Sequence, residues 1–381
     1  MRLLHTSDWH LGRVWSGVDL LDTQRDFGKW LCGTVTELGI DAVLVSGDVY
    51  DKATPSVDSV ALADALLTEL ASTGTSIVVI SGNHDSADRL GFGSRFMEAG
   101  GLHMRSERAD LATLGAPIRL TGTDGEVVDV VCLPYLDPIR VDLDSSCHAR
   151  THEGALRAAL DHQRSLVADP ARAVVMAHAW VGDGPRSESE RELVSVGGTS
   201  QVDASIFHEF GYVALGHLHR PHHVDGHPQV VYSGSPIPYS FSEVHEKSVV
   251  IVDTSDMSWR TERITGVGRG VVVLRGTLEQ ILEDPRYASA TDCFVKVTLT
   301  DSRIQVAAMH AVQQRFPFAL ELVQEAIQSD GGTVALAGAP ARSPADEVEA
   351  YMETYFAGDE HAHKWELATR AVADVAASDT V

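Results

Sequence analysis

The first 135 residues alternate short runs of aliphatic residues with longer segments of helical periodicity. Three apolar runs predict strands, namely LLHTSD, AVLVSGD and IVVISGN. Between them, apolar residues recur at helical spacing from Leu20 to Leu38, and residues 56–73 form a second helical segment. Alternating strands and helices are typical of βαβ units, so this region predicts a largely parallel sheet.

From about residue 115 the pattern changes to closely spaced strand runs, with one clear helix near residues 151–167. The runs are EVVDVVCLPY, AVVMAH, GYVALGH, QVVYSGS and KSVVIVD. We expect them to form a second sheet that packs on the first. The predicted fold class is therefore α/β, a sandwich of four layers in the order αββα.

The last third of the chain predicts smaller units. Residues 291–325 have the pattern of a small βαβ unit, and the stretch GGTVALAGAPARSPAD has the composition of a linker. An apolar stripe from Val348 to Phe356 follows it with the spacing of one helix face. We therefore divide the chain into a main domain, a small α+β domain, a linker and a helical tail, with the bounds 1–268, 269–335, 336–344 and 345–381.

Composition excludes several classes of protein. Hydrophobic residues at 44% and charged residues at 22% are ordinary for a soluble protein. The chain has no apolar run of the roughly 18 residues that a bilayer span needs, and no signal peptide, so we expect a cytoplasmic protein without a membrane partner. The four cysteines lie far apart, which indicates structural thiols rather than a disulfide framework or a zinc finger.

A net charge of −24 is unusual for a protein that holds a polyanion by itself. Two explanations are compatible with a phosphate-containing substrate. Either the negative charge lies away from the site and bound metals supply a local positive potential, or a partner chain provides most of the contacts to phosphate.

Five groups of polar residues lie at the ends of predicted strands, where open α/β sheets bind ligands. The residues are Asp8 and His10, Asp48, Asn83 with His84, His178, and His217 with His219. Each group alone is explained by a turn, a solvated loop or a core histidine. Together they have a composition suited to two divalent ions, which at about 3.5–4 Å apart can clamp a phosphate and lower the pKa of a shared water. The sequence thus predicts metal-dependent phosphoester hydrolysis.

This ordered set resembles that of the calcineurin-like metallophosphoesterases. The resemblance implies that Asp48 bridges the two ions, with Asp8, His10 and His219 completing one site. Asn83, His178 and His217 would complete the other. It also implies that His84 contacts the phosphate and protonates the leaving oxygen, with Asp85 positioned to orient it.

The motifs GDVYD, SGNHDS, GHLHRP and YSGSPIPYSFSE resemble more closely the SbcD branch of that family, as does the start MRLLHTSDWHLG. The resemblance implies a manganese-dependent nuclease that acts 3′–5′ on duplex DNA ends and endonucleolytically on single strands or hairpins. It implies a homodimer within a heterotetramer with an SbcC-like ATPase, and a capping domain at residues 269–335. The helical tail would dock on that ATPase or pack on the chain's own core.

Two other functions are compatible with the motifs. The five groups alone, and the acidic charge, also fit a small-molecule phosphodiesterase or phosphatase. A binding subunit that anchors an ATPase and carries a vestigial metal site is the other alternative. The ligand types suit Mn²⁺, Fe²⁺ or Zn²⁺, so manganese rests on the resemblance alone. Apart from His84, the sequence assigns no substrate-contacting residues.

Overall fold

The computed structural model describes residues 1–106, 115–140, 150–184, 186–191, 193 and 200–325. Residues Met1–Gln324 form one compact unit, and Glu325–Val381 belong to a second. The predicted linker and helical tail lie outside the described residues. Across the described ranges, no helix is both long and apolar enough to cross a bilayer.

The strands are numbered β1 to β19 in chain order. Their bounds are Arg2–Thr6, Val14–Trp15, Val18–Asp19, Ala42–Ser46, Ser76–Ile80, Leu102–Arg105, Ile118–Thr121, Val127–Leu133, Val174–His178, Trp180–Val181, Gln201–Val202, Tyr212–Gly216, His222–Val224, His227–Tyr232, Ser248–Asp253, Ser258–Arg263, Val271–Gly276, Phe294–Leu299 and Ala319–Gln324. The helices α1 to α7 are Leu21–Leu38, Val57–Ser72, Ala87–Leu90, Ser94–Met97, His152–Arg164, Leu278–Glu283 and Ala308–Arg315. Short 3₁₀ helices are Glu98–Gly100, Pro170–Arg172, Ala204–Phe207 and Pro285–Asp292.

Two large sheets form the body of the described unit. The first has the strand order β16-β15-β1-β4-β5-β6, and the second has the order β13-β14-β12-β9-β8-β7. Strands β1, β4, β5 and β6 are mutually parallel, as are β8, β9, β12 and β14. The first three predicted strands and the helices between them are confirmed. Parallel neighbours end at the same edge of a sheet, so the polar residues that follow these strands are brought together.

The order of layers follows from the alternation of side chains along each strand. In β4, Val43 and Val45 pack under α1 and α2, whereas Leu44 points into the core between the two sheets. In β9, Val175 packs against α5, whereas Met176 points into the core between the sheets. Because successive residues face opposite layers, strands buried on both faces read as continuous apolar runs. The predicted αββα sandwich is confirmed.

The strand KSVVIVD, however, belongs to the first sheet and not to the second. It forms β15, which pairs antiparallel with β1, for example Leu4 with Ile251. The expectation that it joins the second sheet was wrong. Five of the six residues of β15 are buried, so no polar face in its sequence indicates which sheet it joins. That choice depends on long-range pairing with the first strand of the chain.

A third, smaller sheet follows, with parallel strands in the order β17-β18-β19. The predicted βαβ unit is present as β18, α7 and β19, and β17 adds a strand that the sequence pattern did not indicate. Aromatic contacts join this sheet to the main body, because the ring of Trp15 lies 4.8 Å from that of Phe241 and 5.1 Å from that of Phe294. The domain boundary between residues 268 and 269 stays a prediction.

Candidate metal centre

The predicted ligands follow the carboxyl ends of five parallel strands, three in the first sheet and two in the second. Asp8 and His10 follow β1, Asp48 follows β4, and Asn83 with His84 follows β5. His178 ends β9, and His217 with His219 follows β12. All eight side chains are brought to one edge of the sandwich, and all except Asn83 are buried.

The loops after β1 and β4 hold each other through their backbones. The amide of Asp8 donates to the carbonyl of Gly47 at 3.0 Å, and the amide of His10 donates to the carbonyl of Asp48 at 3.0 Å. Gly47 has φ +90°, and a Cβ there would lie 2.3 Å from Nδ1 of His178. Only glycine fits this turn, as expected from its place before Asp48.

The side chains form three sets of three residues, and within each set the ligand atoms lie no more than 4.8 Å apart. The sets are Asp8 with His10 and His219, Asp8 with Asp48 and His178, and His10 with Asp48 and His84. Asp48 is common to two of them, and its Oδ2 lies 3.7 Å from Nε2 of His10 and 3.5 Å from Nε2 of His178. A carboxylate in this position can bridge two ions.

Ring nitrogens of His178 and His217 converge on the amide oxygen of Asn83 in one of the two predicted ion sites. Nδ1 of His178 donates to the carbonyl of Ser46 at 2.9 Å, so its Nε2 carries a lone pair. That lone pair faces Oδ1 of Asn83 at 2.9 Å, and Nδ1 of His217 lies 3.1 Å from the same oxygen. Nε2 of His178 and the amide oxygen are both acceptors, and acceptors 2.9 Å apart repel each other unless a cation lies between them. The donor set therefore fits a divalent ion of mixed nitrogen and oxygen preference.

A similar arrangement exists in the other predicted ion site, which contains His10 and His219. Nε2 of His10 lies 3.2 Å from Nε2 of His219. Nδ1 of His219 contacts Oγ of Ser189 at 2.7 Å, which leaves its Nε2 for a ligand. Nδ1 of His10 is buried and has no hydrogen-bond partner among the described residues. These residues also fit a divalent ion.

Burial shifts the ionisation of the ligands. It is the main cause that lowers the pKa of His10 and His217 well below the usual value, which favours the neutral, metal-binding imidazole. Burial likewise raises the pKa of Asp8. Burial alone would lower the pKa of His219, but the nearby carboxylates of Glu243, Asp8 and Glu190 together outweigh it and raise that pKa. A bound cation favours the ionised form of the carboxylates.

His84 is held differently from the predicted ligands. Its Nδ1 donates to the carbonyl of Asp51 at 2.7 Å, and its backbone amide donates to Oδ1 of Asp48 at 2.8 Å. Its Nε2 is thereby left for a substrate oxygen. The ring lies 4.7 Å from that of His10, so a group that touches His84 is also next to the predicted ions.

The carboxylate of Asp85 bonds to the backbone around His84, whereas the imidazole of His84 bonds to another residue. This carboxylate accepts three backbone hydrogen bonds, from Val49 at 3.1 Å, Tyr50 at 2.9 Å and Gly82 at 2.9 Å. The carbonyl of Asp51 makes the contact to His84 instead. Asp85 thus connects the loop after β5 to the loop after β4. The sequence motif alone does not show whether this carboxylate bonds to the backbone or to the adjacent histidine.

The sequence analysis missed a group of polar residues behind His219. These residues are Ser189, Glu190, Glu243 and Lys247. The segment from Tyr232 to Glu243 carries part of the resemblance, but its sequence predicted no role in the site. Its Tyr239 packs against two ligand rings, with its own ring 5.3 Å from that of His10 and 5.7 Å from that of His219.

Comparisons with known proteins agree with this geometry. A family model described as calcineurin-like phosphoesterase matches residues 1–221. A second model, named for the C-terminal region of SbcD and described as the type 5 capsule protein repressor C-terminal domain, matches residues 267–354.

Three relatives are named as the SbcD component of the nuclease SbcCD. The protein from Staphylococcus epidermidis is 29% identical over 327 residues, which is 84% of this chain and 85% of the relative. That from Staphylococcus saprophyticus is 28% identical over 85% of each chain. That from Bacillus subtilis is 35% identical over 264 residues, 66% of each chain.

Proposed function

Because this chain belongs to the calcineurin-like phosphoesterase family and, within it, to the SbcD branch, we propose that it is the nuclease subunit of an SbcC-SbcD-type DNA repair complex. It hydrolyses DNA phosphodiester bonds, as a 3′–5′ exonuclease on duplex ends and as an endonuclease on single strands or hairpins. The observation that carries the chemistry is the convergence of imidazole, amide and carboxylate lone pairs at one edge of the sandwich.

Two divalent ions, which we propose to be Mn²⁺, would neutralise phosphate charge and supply a metal-activated water. One ion would be held by Asp8, His10, Asp48 and His219, and the other by Asp48, Asn83, His178 and His217. Four of these seven residues have a positive φ, namely Asp8, His10, Asp48 and His217. Such strained backbone persists only where surrounding contacts impose it, so the ligands are positioned before any ion binds.

His84 is the proposed general acid. Its Nδ1 is occupied by the carbonyl of Asp51, which fixes the ring and presents Nε2 to the leaving oxygen of a bound phosphodiester. Asp85 acts on this geometry indirectly, because it fixes the backbone around His84 rather than its side chain.

We propose the partners on the same basis. The relatives named as a component of SbcCD support assembly with an SbcC-like ATPase, and we propose a heterotetramer with two copies of each chain, as the family resemblance implies. The tail at residues 345–381 is the proposed contact with that ATPase, and the small domain at 269–335 is the proposed capping domain. The cytoplasm is the proposed location. A partner that supplies most of the contacts to DNA phosphates also explains how a nuclease can have a net charge of −24.

The test uses the purified chain with linear duplex, circular duplex and hairpin DNA, with Mn²⁺ and then with a chelator. We expect degradation of linear and hairpin DNA that stops when the chelator is added. Bis-p-nitrophenyl phosphate and cyclic nucleotides are assayed beside them. A strong preference for these small esters would overturn the proposal in favour of the small-molecule phosphodiesterase.

The role of His84 is tested by His84→Ala, with His162→Ala on the exposed face of α5 as the control. We expect His84→Ala to lose about 10²–10⁴-fold in kcat while its Mn²⁺ content is unchanged. His162→Ala should behave as the unaltered protein. Robust DNA cleavage by metal-loaded His84→Ala would refute the assignment.

A further inference from the structure

A buried ion pair lies directly behind the proposed metal centre. Oε2 of Glu243 lies 2.5 Å from Nζ of Lys247, and their side chains are 0% and 8% exposed. Removing two charges from water costs several kcal/mol per ion, on the order of what their mutual attraction returns. A pair with this cost calls for an explanation beyond stability.

The other oxygen of Glu243 faces His219 through a serine. Oγ of Ser189 lies 2.5 Å from Oε1 of Glu243 and 2.7 Å from Nδ1 of His219. Oε1 itself is 3.3 Å from Nδ1 of His219. Because a carboxylate only accepts, the serine hydroxyl donates to Glu243 and accepts from His219. The chain of hydrogen bonds therefore fixes the proton on Nδ1 and directs the lone pair of Nε2 into the metal centre.

The backbone of His219 is held by the same group. Its carbonyl accepts from Nζ of Lys247 at 3.3 Å, and its amide donates to Oε1 of Glu190 at 2.8 Å. Both the ring and the main chain of this residue are thus fixed by buried charged groups.

The partner of the opposite ligand is different. Nδ1 of His178 donates to a backbone carbonyl, that of Ser46, and not to a charged group. Hydrogen bonds to ionised acceptors are stronger than those to neutral ones, and an outer carboxylate strengthens a histidine as a metal ligand. The two proposed ion sites are therefore supported unequally.

We infer that Ser189 and Glu243, held in place by Lys247, are positioning residues that raise the metal affinity of the ion site containing His219 over that of the site containing His178. This inference rests on the ligand set of the proposed function. It also gives a role to the segment from Tyr232 to Glu243, whose Ser235 and Ser240 donate to Glu243 at 3.1 Å each.

The experiment measures Mn²⁺ binding by calorimetry on the full chain, with Ser189→Ala as the test. This change breaks the serine link without removing a charge. We expect one of two Mn²⁺ dissociation constants to rise about 10- to 100-fold and the other to stay the same. Ser165→Ala is the control, because Ser165 is exposed and its hydroxyl donates to the backbone carbonyl of His162 at the end of α5, and it should change neither constant by more than about threefold.

Activity gives a second readout. We expect Ser189→Ala to need more Mn²⁺ for half-maximal DNA cleavage and to reach the unaltered kcat at saturating Mn²⁺. A lower melting temperature in chelator with both dissociation constants unchanged would mean a merely structural role and would overturn the inference. Equal weakening of both ions would overturn it as well.

The charged pair is tested by the double variant Glu243→Gln with Lys247→Met, which leaves no unpaired buried charge. We expect the same selective loss of one ion as in Ser189→Ala. If the unaltered chain binds fewer than two Mn²⁺, the proposed function fails at its metal centre. If it binds two and no variant changes either constant, only this inference fails.

Discussion

Four proposed ligands have a left-handed backbone that their side chains disfavour. For Asp8, His10 and Asp48 φ lies between 44° and 54°, and for His217 it is 105°. Each such residue costs on the order of 1–3 kcal/mol. The backbone bonds between the loops after β1 and β4 hold Asp8, His10 and Asp48, and the amide of His217 donates to Oδ1 of Asp8 at 3.0 Å, so the site is assembled at the expense of local stability.

Asp85 contributes to that assembly through its three backbone partners. An amide in its place leaves at least one of these N–H groups facing another donor, so Asp85→Asn should lower the free energy of unfolding by about 1–3 kcal/mol. Urea denaturation measures the change. The exposed Asp88 provides the control, and Asp88→Asn should stay within about 0.5 kcal/mol. An inactive Asp85→Asn of unaltered stability would favour a direct action on His84 instead.

The buried cysteines should be unreactive in the folded protein. Burial raises the pKa of Cys32 to about 11 and that of Cys132 to about 12. At pH 8 the reactive thiolate is then about one in a thousand or less. We expect iodoacetamide to modify both residues far more slowly in the native chain than in guanidinium, as measured by peptide mass spectrometry. Equal rates in the two conditions would contradict the burial of these side chains.

At the scale of elements, the close approach of β4 and β12 positions ligands from both sheets. A Cβ on Gly216 would lie 1.9 Å from the carbonyl oxygen of Ser46 and 3.0 Å from Nδ1 of His178. Oγ of Ser46 also donates to the carbonyl of Ala214 at 2.9 Å. The two sheets are thus in polar contact beside the metal centre.

Gly216→Ala should therefore separate the strands and lower the free energy of unfolding by about 1–3 kcal/mol. It should also weaken the binding of the ion at the site of His178, because the added methyl group displaces the carbonyl of Ser46, which orients that ring. Gly33→Ala is the control, since a Cβ added to Gly33 on α1 would meet no atom within 4 Å. This change should raise the free energy of unfolding by about 0.5–1 kcal/mol, because alanine favours the helix over glycine. Urea unfolding in chelator and manganese calorimetry check both results, and an unchanged Gly216→Ala would exclude the close contact.

At the scale of the whole molecule, the unit from Met1 to Gln324 contains every proposed ligand and His84, the proposed general acid. A variant that ends at Glu325 should unfold cooperatively and bind two Mn²⁺, because no described ligand is removed. It should no longer co-purify with an SbcC-like ATPase. Retained co-purification would place the partner contact elsewhere and contradict the proposed role of the tail.

The acidic charge predicts weak DNA binding by the isolated chain. We expect His84→Ala, used to prevent cleavage, to bind duplex DNA with a Kd above about 10⁻⁶ M in Mn²⁺ and more weakly in chelator. Fluorescence anisotropy at about 50 and about 200 mM salt measures this. Addition of the ATPase partner should tighten binding and steepen its dependence on salt. Tight binding by the isolated chain in chelator would show that its own surface suffices.

The sequence by itself determined the layered α/β sandwich and the identity of the eight residues at its edge. Both follow from local signals, because a strand buried on both faces reads as an apolar run and its ligands follow directly at its end. The strands β1, β4 and β5 and the helices between them were predicted for this reason.

Only the tertiary structure decided what depends on distant pairing. The placement of β15 beside β1 depends on a contact between the two ends of the main domain, which leaves no local pattern. The same holds for Asp51, rather than Asp85, as the partner of His84, and for Ser189 and Glu243 behind His219. A hydrogen-bond partner is selected by geometry, and the residue type alone does not specify which of several nearby acceptors a ring will meet.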